Sequence, residues 1–177
     1  DVVELKNSDV EVSPARLTFG VSSRQAPVDT AMEQTLTIAS THKSDLLCAV
    51  EDLTAAGAVR AKYKLAFEPA GVVVVPARGS VEVCARLTLL CTTKVRLALG
   101  VKVWKARAAK CRALRLEFAT ESQLTTRLDP DELKRDDVIG DGAYGIVYGG
   151  RYRGMDVAIK VLKYQEYVTD QMKAEFA

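Results

Sequence analysis

Hydrophobic and polar residues alternate with a period of two through most of residues 13–120. The alternation is clearest in residues 81–89, 95–103 and 114–118. If the first of these stretches is a strand, Val83 and Leu87 point to one face while Glu82 and Arg86 point to the other. Such a pattern is typical of strands with one buried face, because successive side chains of a strand point to opposite sides. Helical periodicity is missing throughout this part of the chain.

Shorter apolar runs precede residue 81 and add further predicted strands. They lie at residues 17–19, 36–38, 45–53, 63–67 and 72–75. About seven or eight short strands, with turns every 8–12 residues or so, are typical of an antiparallel sandwich. The sequence therefore predicts a mainly β protein with an immunoglobulin-like antiparallel β-sandwich over residues 13–120, long enough to bury its own core. A short polar connector without glycine, residues 121–128, follows it and favours restrained placement of what comes next.

The remaining residues, 129–177, contain a glycine motif, I-G-D-G-A-Y-G-I-V-Y, that starts at Ile139. The spacing G-x-G-x-x-G lets a backbone turn lie close over phosphate groups without side chains in the way. Dinucleotide-binding folds use the same spacing, but there the last glycine opens a helix. Here an apolar run follows Gly145, and a second apolar run, V-A-I-K, ends at Lys160. This order predicts strand, glycine turn, strand, turn, strand.

The same stretch resembles the start of a protein kinase domain, where a glycine-rich loop covers ATP and a V-A-I-K lysine contacts its phosphates. The residues L-D-P-D-E-L-K that begin at Leu128 resemble the start of tyrosine-kinase-like and tyrosine kinase domains. The resemblance implies a binding site for ATP with magnesium. By position, it assigns Ile139 and Val147 to the adenine, Ala158 to the roof of the pocket, Gly140, Gly142 and Gly145 to the phosphate-covering loop, and Lys160 to the non-transferred phosphates.

Several parts of a kinase are missing from these 177 residues. The resemblance covers residues 128–177, enough for three antiparallel strands and the start of a helix near Thr169, where Glu175 is a weak candidate partner for Lys160. No H-R-D is present, since the one histidine, His42, precedes a lysine, and no D-F-G occurs. Phosphoryl transfer then has no base and no metal site. We expect this truncated N-terminal lobe to be inactive alone and not to bind ATP tightly.

Two functions are compatible with the sequence. In the first, the chain belongs to a kinase that phosphorylates protein hydroxyls with ATP, and the sandwich is a regulatory or protein-interaction module. In the second, it belongs to a non-catalytic binding or adaptor protein with a pseudokinase lobe. The intact glycines and Lys160 favour the first. An H-R-D and a D-F-G farther along the chain would decide between them, and the resemblance leaves serine, threonine and tyrosine open as targets.

Two stretches of the sandwich resemble major-sperm-protein-type domains. The run V-S-P-A-R-L-T-F from Val12 resembles their opening strand, where a proline kinks the edge strand before L-x-F. The run Y-K-L-A-F-E-P-A-G-V-V-V-V-P from Tyr63 resembles their later strand, P-x-x-G turn and apolar strand. A generic immunoglobulin or fibronectin-type sandwich is the alternative. An antibody-type domain is disfavoured, because Trp104 follows three of the four cysteines.

Composition and cysteine spacing restrict the class of protein. A net charge of +2, with 48% hydrophobic and 27% charged residues, is ordinary for a globular chain and demands neither nucleic acid nor an anionic membrane. No apolar run approaches the roughly 20 residues of a membrane span. The cysteines have no C-x-x-C spacing, which argues against zinc and favours buried reduced thiols in a cytoplasmic protein over disulfides. The parent could equally be the cytosolic part of a membrane protein.

A basic run without acidic residues lies in the last part of the predicted sandwich. Its members are Lys94, Arg96, Lys102, Lys105, Arg107, Lys110, Arg112 and Arg115. A solvated outer face is the simplest interpretation. The major-sperm-protein resemblance implies binding of acidic peptides or anionic lipid, whereas a network of pairs with the acidic segment 121–141 of the same chain is our hypothesis. Nucleic acid is disfavoured, because no aromatic ladder accompanies the basic residues.

Overall fold

The chain forms two compact units, Asp1–Gln123 and Leu124–Ala177. The computed structural model describes residues 2–4, 10–15, 17–19, 25–54, 61–106 and 111–163. The predicted helix near Thr169 and its Glu175 lie outside these residues.

The described part of the first unit is a two-sheet antiparallel sandwich. Its strands are β1 (Val2–Glu4), β2 (Val10–Ser13), β3 (Ala31–Ser40), β4 (Leu46–Asp52), β5 (Tyr63–Glu68), β6 (Val72–Val75), β7 (Ser80–Leu89), β8 (Lys94–Trp104) and β9 (Cys111–Glu121). One sheet has the order β1-β9-β8-β4-β6, and the other has the order β2-β3-β7-β5. Only the pairing of β1 with β9 is parallel among these strands. The prediction of a mainly β, antiparallel sandwich is confirmed.

The core of the sandwich is built from alternate residues of both sheets. Along β7, Val83 and Leu87 are buried while Glu82 and Arg86 are exposed, as the alternation predicts. Leu36 on β3, like Val83 and Leu87, belongs to the hydrophobic core cluster of the described residues. Each such side chain contributes about 1.5–3 kcal/mol when fully buried. The period-two pattern is therefore the main determinant of this fold.

The ends of the sandwich are set by pairing between residues distant in sequence. Strand β1 lies at the edge of one sheet and β2 at the edge of the other, and both strands begin before residue 13, where the predicted sandwich starts. At the other end, Glu121 accepts a hydrogen bond from Ala26 N–H at 2.8 Å, and Ser122 N–H donates to Thr93 O at 2.9 Å. Ser122 is fully buried. Glu121 and Ser122, at the start of the predicted connector, are thus bonded into the sandwich.

The second unit contains one three-stranded antiparallel sheet in its described part. A short 3-10 helix, Pro130–Glu132, leads into β10 (Leu133–Gly142), which is followed by β11 (Gly145–Tyr152) and β12 (Met155–Leu162). The strand order is β10-β11-β12. Asp129 begins the helix, because its side chain accepts a hydrogen bond from Asp131 N–H at 3.0 Å. The three strands occur in the order that the glycine motif and the V-A-I-K run predict.

The cysteines are all free thiols in this structure, with Cys48 fully buried and the other three half-buried. Burial raises the pKa of the Cys48 thiol to about 11, because desolvation disfavours the thiolate. In the part of the chain that the structure describes, no helix has the length and apolar character needed to cross a membrane.

Candidate functional site

The glycines of the motif lie in and beside the turn between β10 and β11. Gly142 pairs with Gly145, so that Ala143 and Tyr144 form the two-residue turn. A Cβ atom on Gly145 would lie 2.6 Å from the carbonyl oxygen of Val161, and the neighbouring backbone therefore requires glycine there. A Cβ on Gly142 would approach nothing closer than 3.8 Å, which leaves open space beside this glycine.

The next feature is a row of residues across the sheet. Gly140 on β10 pairs with Val147 on β11, and Val147 pairs with Lys160 on β12. Directly opposed residues of an antiparallel pair share a face of the sheet. One step away on the same face, Gly149 pairs with Ala158.

A bulge places Ile139 on this face as well. The register shifts between Val138 and Gly140, which adds one residue to β10 relative to β11. A Cβ on Gly149 would lie 3.5 Å from Cγ2 of Ile139, so that side chain lies over Gly149. The structure thus brings all seven sequence-predicted residues to one side of the sheet by register. They are Ile139, Gly140, Gly142, Gly145, Val147, Ala158 and Lys160.

The opposite side of the sheet has a different character. Register places Ile146 with Val161 and Tyr148 with Ile159 on that side. The guanidinium carbon of Arg135 lies 4.6 Å from the centre of the Tyr148 ring, within the range of a cation–π contact. The face with the predicted residues is therefore the one that combines glycines with a lysine amine.

The charged side chains near the glycine turn are Lys160 on β12 and an ion pair between Asp141 and Lys163. The Lys160 side chain is exposed, and within residues 10–163 as described no carboxylate forms an ion pair with its amine. Asp141, between the first two glycines of the motif, forms an ion pair with Lys163. The N–H of Lys163 also donates a hydrogen bond to the carbonyl of Tyr144 at 3.3 Å. Lys163 therefore holds the turn through both its side chain and its backbone.

The candidate face can accept a polyphosphate with an attached base. A Cβ on Gly140 would approach only Val147, at 3.7 Å, so there is room beside the backbone of this glycine, on the same face as Lys160. Ile139 is 65% exposed and offers apolar surface to a planar ring. Among the described residues, no group of three or more His, Cys, Asp or Glu side chains could hold a metal ion. Room beside glycine backbone, exposed apolar surface and a lysine on one face suit a nucleotide.

The basic run between Lys94 and Arg115 is partly neutralised within its own sheet. Lys94 lies 3.1 Å from Glu121, and Arg115 lies 2.7 Å from Glu117. Lys102 on β8 forms an ion pair with Glu51 on β4. The side chains of Arg107, Lys110 and Arg112 lie outside the described residues. A linear count of charge missed Glu51, which comes from a neighbouring strand, and Glu117, which lies just beyond the counted run, whereas Glu121 is the first residue of the acidic segment. Binding of an acidic peptide or of the acidic segment stays a prediction.

Sequence reasoning also missed a clamp between Glu132 and Arg153. The Arg153 guanidinium donates two hydrogen bonds to the Glu132 carboxylate, at 2.5 and 3.1 Å, and both side chains are partly buried. Arg153 and Gly154 form the turn between β11 and β12, with φ angles of 50° and 86°. Two-residue hairpin turns with both φ angles positive match the twist of the strands, and the R-G pair was the available signal. The clamp joins the start of the unit to this turn.

Comparison with known proteins relates the chain to protein kinases. No protein-family model matches it. The probable serine/threonine-protein kinase gdt9 of Dictyostelium discoideum is 35% identical over 89 residues, which is 50% of this chain and 5% of the relative. A second probable serine/threonine-protein kinase of the same organism is 47% identical over 45 residues, 25% of this chain and 5% of the relative. The chain thus spans about a twentieth of these relatives, and the tyrosine-kinase-like assignment stays a prediction.

Solved structures are similar to the sandwich. The seventh PapD-like domain of human CEP192, an ASH or PapD-like domain, aligns with a TM-score of 0.52 and 12% identity, covering 67% of this chain and 87% of that one. At this identity the likeness shows the fold alone. The major-sperm-protein family member WR4 of Caenorhabditis elegans aligns with a TM-score of only 0.38 and 13% identity, over 66% of this chain and all of the other. The finer major-sperm-protein resemblance stays a prediction.

Proposed function

We propose that the three-stranded unit is the ATP-binding end of the N-terminal lobe of a protein kinase. The proposal rests on one observation above all: Gly140, Val147 and Lys160 lie side by side in one register row. The similarity to curated kinases supports it independently. The reaction is transfer of the γ-phosphoryl group of ATP to the hydroxyl group of a protein side chain.

Each residue of the face has a role that follows from its chemistry. Gly140 and Gly142 leave space for phosphate oxygens to approach the backbone, where N–H groups can donate to them. Lys160 supplies a positive charge to the phosphates that are not transferred. Ile139 and Val147 give apolar contact to the adenine, with Ala158 beside them. Bound with magnesium, ATP supplies the phosphoryl group.

The chain needs further residues to complete the reaction. A base for the substrate hydroxyl and carboxylates for the metal belong to H-R-D and D-F-G segments, which this sequence lacks. The described residues therefore bind and orient one side of ATP without activating a nucleophile. We propose that the sandwich is a regulatory or protein-interaction module of the same protein. Its free thiols suit a reducing compartment such as the cytoplasm.

A non-catalytic adaptor is the second candidate. An active kinase pairs this lysine with a glutamate of the following helix, and that part of the chain lies outside the described residues. A lobe in which this pairing never forms would serve only as a scaffold. The two candidates differ in whether phosphoryl transfer depends on Lys160.

The test uses a protein that continues past residue 177 through a complete kinase domain. Transfer of radiolabelled phosphate from ATP to a protein substrate is compared for the unchanged protein, Lys160→Ala and Lys134→Ala. Lys134 is a matched control, because it is an exposed lysine of the same sheet near the start of β10. We expect Lys160→Ala to lose at least about 100-fold in rate, as for other removed electrostatic groups, and Lys134→Ala to be unaffected. No transfer by the unchanged protein, or equal rates for all three, would overturn the proposal.

A further inference from the structure

The glycine turn contains a single charged side chain, and that charge is negative. Between Gly140 and Gly145 the sequence reads G-D-G-A-Y-G, with Asp141 as the charged residue. A carboxylate in a loop that lies over phosphates repels them, because like charges at short range raise the energy of the bound state. Balancing the charge of Asp141 therefore favours phosphate binding by this turn.

Lys163 is placed to balance it. Its amine forms the ion pair with Asp141, and its N–H bonds to the Tyr144 carbonyl on the other side of the turn. The side chains are 32% and 60% exposed for Lys163 and Asp141, so the pair is accessible to solvent and to salt. Asp141 pairs with Ile146 in register, on the opposite side of the sheet from Lys160. Lys163 thus leaves the amine of Lys160 available to the ligand.

We propose that Lys163 is a positioning residue of the nucleotide site, which neutralises Asp141 and so removes the repulsion between the glycine turn and the phosphates. This inference rests on the proposed function, because it concerns the same ligand. The inference predicts effects of opposite direction on nucleotide affinity when Lys163 or the charge of Asp141 is removed. Loss of Lys163 exposes an uncompensated negative charge, whereas loss of the Asp141 charge removes the repulsion altogether, although both changes break the same ion pair.

The experiment is a double-mutant cycle on a protein that contains the complete kinase domain. The affinity for MgATP is measured by calorimetry for the unchanged protein, Lys163→Gln, Asp141→Asn and the double variant. We expect Lys163→Gln to weaken binding on the order of threefold, because the exposed Asp141 carboxylate acts on the phosphates largely through water and salt. Asp141→Asn should bind at least as tightly as the unchanged protein, and the double variant should recover the affinity that Lys163→Gln loses. The loss should shrink at high salt.

A matched control separates local charge from total charge. Arg151 faces Asp156 across the far end of the β11–β12 hairpin, 3.7 Å apart, and Arg151→Gln removes the same net charge there. It should leave the affinity unchanged. Equal weakening by Lys163→Gln and Asp141→Asn would show a purely structural pair and overturn the inference, as would no effect of Lys163→Gln, while the proposed function stood. Absence of MgATP binding in every protein would overturn both.

Discussion

Glycines in one short turn have different reasons to be glycine. At Gly145 a Cβ would lie 2.6 Å from the backbone oxygen of Val161, while at Gly142 its nearest neighbour would be 3.8 Å away. The first glycine is therefore required by the fold of the sheet. The second is free to serve the ligand, since the sheet tolerates a methyl group there.

This difference predicts opposite outcomes for two alanine substitutions. Gly145→Ala should destabilise the second unit by about 1–3 kcal/mol, because the new methyl group forces β12 away from β11. Gly142→Ala should change stability by less than about 1 kcal/mol but weaken nucleotide binding in the complete kinase. Chemical unfolding followed by amide exchange in β12 measures the first effect. Equal stability of the two variants would contradict this account of Gly145.

Cys48 gives a second prediction at the residue scale. Its pKa is about 11 in the folded protein, against roughly 8.5 for an exposed thiol. Above the unfolded value, the unfolded chain loses its proton first, so stability is full below about pH 8.5 and falls as the pH rises towards 11. The urea midpoint of the first unit should drop more steeply over this range in the unchanged protein than in Cys48→Ala. Parallel pH profiles for the two proteins would contradict a raised pKa of the Cys48 thiol in the folded state.

At the scale of elements, alternation predicted strands well, whereas their partners and ends could not be predicted. The period of two in β7 reports burial on one face, which is a local property of the strand, whereas the middle of β8, residues 97–101, is buried on both faces. Register is not local. The bulge before Gly140, which brings Ile139 over Gly149, depends on how β10 meets β11. The grouping of the seven candidate residues was therefore predictable by resemblance and not by pattern.

The clamp between Glu132 and Arg153 links two elements of the second unit, and its loss should lower the stability of the sheet. The pair joins the 3-10 helix to the β11–β12 turn and is only about one-fifth exposed. Arg153→Gln should lower the stability of the sheet by about 1–2 kcal/mol, since Glu132 then keeps a partly buried charge without its fork-shaped donor. Arg151→Gln, at a solvent-exposed pair in the same hairpin, is the matched control. Amide exchange across β11 and β12 measures both, and equal protection in the two variants would contradict the role of the clamp.

At the scale of the whole molecule, the hydrophobic cluster lies within the first unit. The members of this cluster run from Val10 to Phe118, and all of them belong to the sandwich. A core that is complete within about 120 residues can support independent folding. The similarity to a solved PapD-like domain supports the sandwich fold of this unit.

The sandwich should therefore fold without the second unit. Residues 1–123, produced alone, should give a β-type circular dichroism spectrum and a single cooperative urea transition. The cut at 123 keeps Ser122 and its hydrogen bond to Thr93, whereas a cut at 120 removes it. We expect the version ending at 120 to be less stable by about 1–2 kcal/mol. A non-cooperative transition for residues 1–123 would contradict the division into two units.

The most direct test of the nucleotide face is chemical labelling with an acyl-phosphate derivative of ATP. Such a probe transfers its acyl group to a lysine amine that lies beside the bound phosphates. In a protein with the complete kinase domain, Lys160 should be acylated, and excess MgATP should suppress the labelling, while Lys134 reacts slowly and without competition. Labelling of Lys160 that free ATP does not suppress, or equal labelling of both lysines, would contradict the assignment of this face to ATP.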